Sequence, residues 1–148
     1  MAFAPFDLSG KVALITGGNG GIGLGMAQGL AEAGAEVSIW GTNEEKNASA
    51  LAQLSIIGPK VTAMKCNVAD EADVAGRFQE TLDAHGRVDA CFANAGAGSR
   101  GTRFDEMTEQ EWRRILAVNL DGVFYVFKQA ARHMRERADA GDPFGRLI

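Results

Sequence analysis

Gly17, Gly18, Gly20, Gly21 and Gly23 crowd into seven residues directly after the apolar run Val12–Ile15 and Thr16. Glycine at that density serves a backbone that must adopt positive φ, touch a ligand, or let a helix pack closely on a strand. The run before it reads as a buried strand. The segment after it, with Ile22, Met26, Leu30 and Ala33 at helical spacing, reads as a helix stopped by Gly34. Such a turn leaves the first helical N–H groups unpaired at the positive end of the dipole, which suits a phosphate. A glycine turn alone is weak, but one that follows a strand and opens a helix predicts a dinucleotide pyrophosphate site.

Other reactive side chains are few. Tyr125 is the only tyrosine, and Lys128 follows three residues later, but Phe124, Val126 and Phe127 around it mark a core or interface aromatic. His85 and His133 sit toward helix ends, where a cation suits the dipole, with no second ligand at metal-binding spacing. Cys66 and Cys91 form neither a metal pattern nor a disulfide framework. Trp40 reads as a packing residue beside the nucleotide pocket.

The elements that must position these residues alternate strictly. Strands are expected over Val12–Thr16, Val37–Trp40, Val61–Cys66 and Val88–Ala93, and Arg146–Ile148 begins a fifth. Between them lie helices over Gly21–Ala33, from a cap at Thr42 or Asn43 to Ile57, from Asp70 to His85, and Glu109–Ala138. The last is opened by the capping box of Thr108 and Glu111. Gly98–Met107 is irregular or a short helical turn, and Met1–Phe6 a loosely held arm. This alternation predicts one α/β domain over 1–148, a doubly wound parallel sheet of order 3-2-1-4-5. Strands three and four are then two strands apart, at about 4.8 Å each, beyond disulfide reach, so both cysteines are small core residues.

The 148 residues carry 19 glycines, a net charge of −4 and no low-complexity tract. No basic cluster suggests nucleic acid; Arg132–Arg137 reads as a solvated helix end. No run approaches the roughly 20 apolar residues of a membrane span, and the N-terminus lacks the pattern of a signal peptide, which leaves cytoplasm as the expected location.

Thr16-Gly17-x-x-x-Gly21-Ile22-Gly23 resembles the short-chain dehydrogenase/reductase family. So do Asn67-Val68 after strand three, Asn94-Ala95-Gly96 after strand four, Asn119 in the long helix, and Gly145-Arg146-Leu147-Ile148. The resemblance covers essentially the whole chain and implies a Rossmann fold, a bound NAD or NADP, and hydride transfer between its nicotinamide and a small alcohol or ketone. It places Gly17, Asn19, Gly20, Gly21 and Ile22 beside the pyrophosphate. Thr42, Asn67, Val68, Asn94, Ala95 and Gly96 fall on the adenosine side. Asn67 stands where the family has aspartate, and its amide oxygen is expected to accept from the adenine amino group; the other reading is a cap for the turn toward Asp70. Asn119, in apolar company, needs a hydrogen-bond partner. In the family it kinks the helix and holds a water of the catalytic proton relay, so it is the one residue here of the catalytic constellation. After strand two, Gly41-Thr42-Asn43 carries no charge, and the balance tips to NADP because no acid there excludes a 2′-phosphate.

The family's serine and its Tyr-x-x-x-Lys follow strand five and do not occur here. The chain is therefore expected to be the cofactor-binding part of a longer enzyme, truncated before the last strands and inactive alone; a strand at its end would otherwise be an open edge. The alternative is a non-catalytic dinucleotide-binding module or degenerate relative. The long helix is apolar nearly all round at its middle, and its second face predicts a homo-oligomer.

Overall fold

The computed structural model describes residues 6–99 and 101–148. The arm expected over Met1–Phe6 lies outside them apart from Phe6, which is exposed. The elements are β1 (Val12–Thr16), α1 (Gly21–Glu32), β2 (Glu36–Gly41), α2 (Glu44–Ser55), β3 (Val61–Lys65), α3 (Glu71–His85), β4 (Ala90–Phe92), α4 (Glu109–Leu116), α5 (Gly122–Asp139) and β5 (Arg146–Leu147). A 3₁₀ turn, Phe104–Glu106, precedes α4.

All five strands are parallel and lie in the order β3-β2-β1-β4-β5. In β1, buried along its whole length, alternate side chains enter opposite cores. Ala13 and Ile15 join Val37, Ile39, Ala27, Ala31, Ala50 and Leu54 under α1 and α2. Leu14 joins Trp40, Phe78, Val88, Cys91 and Val126 under α3 and α5. The central strand thus reads as a continuous apolar run because helices cover both faces. Cys66 and Cys91 belong to this second core, and burial pushes both thiols up to about 12, so neither supplies a thiolate.

Local capping sets the helix starts. Asn43, not Thr42, caps α2, its Oδ1 accepting from the Lys46 N–H at 2.9 Å. Asp70 accepts from Ala72 and Asp73, and Thr108 from the Glu111 N–H at 3.1 Å. The single helix expected over Glu109–Ala138 is interrupted: a π-helical turn, Ala117–Asp121, joins α4 to α5. Asn119 lies in that wider turn, a geometry hydrophobic periodicity does not register.

The lower end of β4 holds a charged cluster. Asp89, only 1% exposed at its side chain, accepts from the Val12 N–H at 2.9 Å, from Arg87 and from Arg137. Arg137 also donates to the Val88 carbonyl and to Asp142. It is therefore not part of a solvated helix end; it locks α5 to the sheet. His133 departs from expectation too. Its Nε2 accepts from the Val88 N–H at 3.1 Å, and burial with Arg137 nearby lowers its pKa, so it works as a neutral acceptor rather than a dipole-stabilised cation.

These groups set the acid response. Burial alone would raise the Asp89 pKa, but the Arg87 hydrogen bond, the Val12 N–H and the charge of Arg137 together lower it. The hydrogen bond from Arg137 is the main cause holding Asp142 at about 2. All three folded pKa values lie below the unfolded ones. Their stabilisation is full above the unfolded pKa and is lost as pH falls through the folded one. The midpoint of thermal unfolding, followed by circular dichroism, should begin to drop below pH ~6.5 through His133 and more steeply below pH ~4 through the carboxylates. A midpoint unchanged from pH 8 to pH 3 would refute the assignment.

Candidate nucleotide-binding cleft

The glycine turn is held from both neighbouring strands. The Gly17 N–H donates to the Trp40 carbonyl at the end of β2 at 2.7 Å. Asn94, just past β4, donates through Nδ2 to the Thr16 carbonyl at 3.0 Å and the Gly17 carbonyl at 3.4 Å. The Thr16 hydroxyl accepts from the Ala95 N–H at 3.0 Å. Asn94 therefore acts as a strut for the turn and does not line the cleft.

Beyond the turn, α1 starts without a side-chain cap and with no acid in its first turn. By contrast α2, α3 and α4 each have a side-chain cap and two acids there. The first N–H donors of α1 keep their capacity for an external anion. Ile22 is 76% exposed in that first turn and, like Gly20 and Gly21, lies outside the cleft lining.

The cleft itself, about 260 Å³, opens at the carboxyl ends of β1, β2, β3 and β4. It brings together Gly17, Asn19, Thr42, Asn67, Val68, Ala95 and Gly96, with Trp40, Cys66 and Val118 also in its wall. Trp40 is fully buried and donates through Nε1 to the Thr81 hydroxyl at 3.2 Å. Asn19 is placed by a residue that periodicity alone did not flag. Buried Asn47 accepts from Asn19 Nδ2 at 2.7 Å, and its own Nδ2 donates to the carbonyls of Gly41 at 2.9 Å and Met64 at 3.1 Å. The signal was present: Asn47 shares a helical face with Ala50 and Leu54, where an amide must serve specific partners.

Asn67 is exposed after β3, and its Oδ1 accepts from the Ala69 N–H at 3.2 Å while its backbone carbonyl accepts from Asp70. That oxygen caps the turn and keeps a second lone pair. Asn119 is exposed rather than buried in apolar company. Its amide grips Ala97 from both sides, Oδ1 accepting the N–H at 2.7 Å and Nδ2 donating to the carbonyl at 2.9 Å. It ties the π turn to the loop after β4. Lys128, by contrast, pairs with Glu71 at 2.7 Å outside the cleft lining, and Tyr125 packs against the core.

Among the described residues, no group of histidine, cysteine and carboxylate side chains could hold a metal ion. No helix among them is long and apolar enough to cross a membrane. A parallel sheet with a glycine turn, an uncapped first helix and a cleft where the strand order reverses defines the Rossmann class of folds.

Within that class the chain matches the family model for short chain dehydrogenases over residues 11–142 and belongs to the short-chain dehydrogenase/reductase family. A 3-oxoacyl-(acyl-carrier-protein) reductase of Chlamydia pneumoniae is 35% identical over 127 residues, 86% of this chain and 51% of that protein. An NAD+-bound xylitol dehydrogenase superposes with a TM-score of 0.87 at 30% identity, over 94% of this chain and 52% of that one. A metagenomic short-chain oxidoreductase in complex with NADP gives a TM-score of 0.86 at 30% identity, over 96% and 62%. The chain spans about half the length of the curated relatives it matches.

Proposed function

We propose that this chain is the cofactor platform of an NAD(P)-dependent short-chain dehydrogenase/reductase acting on a small alcohol or ketone. The observation that carries the reading is a cleft that runs from Gly17 and Asn19, in the turn leading into the uncapped α1, to Asn67 and Val68. Gly17, Asn19, Gly20, Gly21 and Ile22 supply backbone donors and close approach on the pyrophosphate side. Thr42, Asn67, Val68, Ala95 and Gly96 wall the adenosine side, and Asn94 holds the turn between them. The cofactor, when bound, supplies or takes up the hydride. Asn119 acts in the proton path by fixing the loop after β4 through Ala97. These 148 residues contain no Tyr-x-x-x-Lys, so the chain alone is read as inactive.

The absence of an acid at Thr42–Asn43 supports a lean to NADP. Asn43 is occupied with capping, and the nearby Glu44 carboxylate is paired with Lys65 at 3.1 Å. Exposure of Trp112 (45%) on α4, Leu120 (60%) on the π turn and Phe124 (59%) on α5 supports a homo-oligomer formed through this stretch. The apolar face would then be covered by a second copy. A cytoplasmic location remains part of the same reading.

Titration of the 148-residue chain with NADPH and NADH, followed by nicotinamide fluorescence, tests it. Weak binding is expected, with NADPH no weaker than NADH, and no NAD(P)H oxidation with carbonyl substrates. Gly21→Asp should abolish binding: φ is +51° there, and the carboxylate would stand at the dipole end meant for phosphate. No binding by the parent chain, or full binding by the variant, would overturn the site. Steady turnover by the pure chain would overturn its inactivity.

A further inference from the structure

Asn47 is a buried amide whose orientation its neighbours fix. Its Nδ2 donates to the Gly41 carbonyl at 2.9 Å and to the Met64 carbonyl at 3.1 Å, and the amide oxygen could serve neither acceptor. Oδ1 must therefore turn toward the glycine turn, and a donor has to meet it there. Asn19 supplies one through Nδ2 at 2.7 Å. Gly41 shows where this holds the Asn19 side chain. A Cβ on Gly41 would collide with Asn19 Nδ2 and lie 2.7 Å from Asn47 Oδ1. The Asn19 amide thus lies over the last residue of β2, in the space that a side chain at position 41 would need.

Asn19 and Gly41 both line the cleft. In a sheet of this order a dinucleotide lays its phosphates on the turn after β1 and passes its adenosine ribose over the end of β2. The Asn19 backbone belongs to the first of these places and its side chain to the second. One Nδ2 proton is spent on Asn47; the other, and Oδ1, have no hydrogen-bond partner among the described residues. A ribose hydroxyl both donates and accepts, so either free arm can serve it. We infer that Asn47 is a positioning residue of the nucleotide site, holding the Asn19 amide over Gly41 as the contact for the adenosine ribose hydroxyls. Without Asn47 the ligand itself would have to order that side chain, and the lost rotamer freedom would offset the hydrogen bond gained. The inference rests on the dinucleotide reading proposed above and names the residue that prepares its ribose contact.

The test compares calorimetric Kd values for ADP and 2′,3′-dideoxy-ADP, which differ only in the ribose hydroxyls, on the parent chain, Asn47→Leu, Asn47→Asp and Asn19→Ala. Leucine and aspartate both give up the bonds to Gly41 and Met64, but only aspartate keeps an acceptor for Asn19. A purely structural role would move both variants alike, and the added charge of aspartate weakens the two ligands equally. The parent chain should prefer ADP about fivefold, the worth of one net hydrogen bond. Asn47→Leu and Asn19→Ala should each bring that preference below about twofold while binding dideoxy-ADP as the parent does, and Asn47→Asp should keep it. If circular dichroism shows Asn47→Leu unfolded, Asn47→Ala takes its place, since it leaves room for a water at the two carbonyls. No preference in the parent, a preference that Asn47→Leu leaves intact, or equal losses in Asn47→Leu and Asn47→Asp each overturn the inference and leave the cofactor reading in place. Failure of the parent chain to bind either nucleotide overturns both.

Discussion

Gly23→Ala should weaken nucleotide binding more than tenfold and lower stability by about 2 kcal/mol, although it adds one methyl group to a helix. Gly23 is buried in the first turn of α1, and a Cβ there would collide with the Gly17 carbonyl oxygen and lie 2.5 Å from Asn94 Nδ2. Neither can retreat easily. Gly17 is tied to Trp40 by its N–H, and Asn94 Nδ2 is bound to the Thr16 and Gly17 carbonyls. The helix must therefore move off the turn, carrying the N–H donors of its first turn with it. Gly29→Ala provides the control. It lies in the same helix with nothing within 4 Å of its Cβ position, so the same substitution should stabilise by about 0.5–1 kcal/mol. Urea unfolding and fluorescence titration of the two variants read the contrast. Equal effects would show that close approach of helix and turn is not needed.

Asp89→Ala should cost about 4 kcal/mol, the range for removing one partner from a buried ion cluster. Substitution leaves Arg87 and Arg137 converging without their shared carboxylate and strips the Val12 N–H of its acceptor. Asp142 remains for both guanidinium groups but is far more exposed, at 42%. Since a domain of this size has roughly 5–15 kcal/mol of stability, such a loss would approach global unfolding. Asp89→Asn, which keeps an oxygen for Val12 but removes the charge, should fall between. A loss below about 1 kcal/mol for Asp89→Ala in urea unfolding would mean the cluster is worth no more than a surface pair.

The two variants mark different degrees of legibility. The glycine spacing announces Gly23 because strand, turn and helix are contiguous and the close approach is local. Asp89 gave no comparable signal. Its partners are the Val12 N–H of β1, Arg137 near the far end of α5 and Arg87 two residues before it. In sequence Arg137 looks like any basic residue of a helix end. The same distinction separates His85, where the expected position in the last turn of α3 is found, from His133, whose neutral role depends on a β4 N–H packed against it.

Sequence alone determined the class of fold and the place of the glycine turn. Short continuous apolar runs mark strands covered on both faces, period-3.6 patterns mark helices, and right-handed crossovers leave few ways to assemble such units. It also supplied most of the cleft lining, because residues just past consecutive parallel strands must meet at one end of the sheet. Tertiary structure alone decided what each side chain does there. Asn94 became a strut, Asn47 the support of Asn19, Asn119 a clamp on Ala97, and Asn67 a turn cap. An asparagine carries both a donor and an acceptor, so its type does not say which arm is used. That depends on backbone groups brought from elsewhere in the chain, and only the folded geometry states which ones arrive.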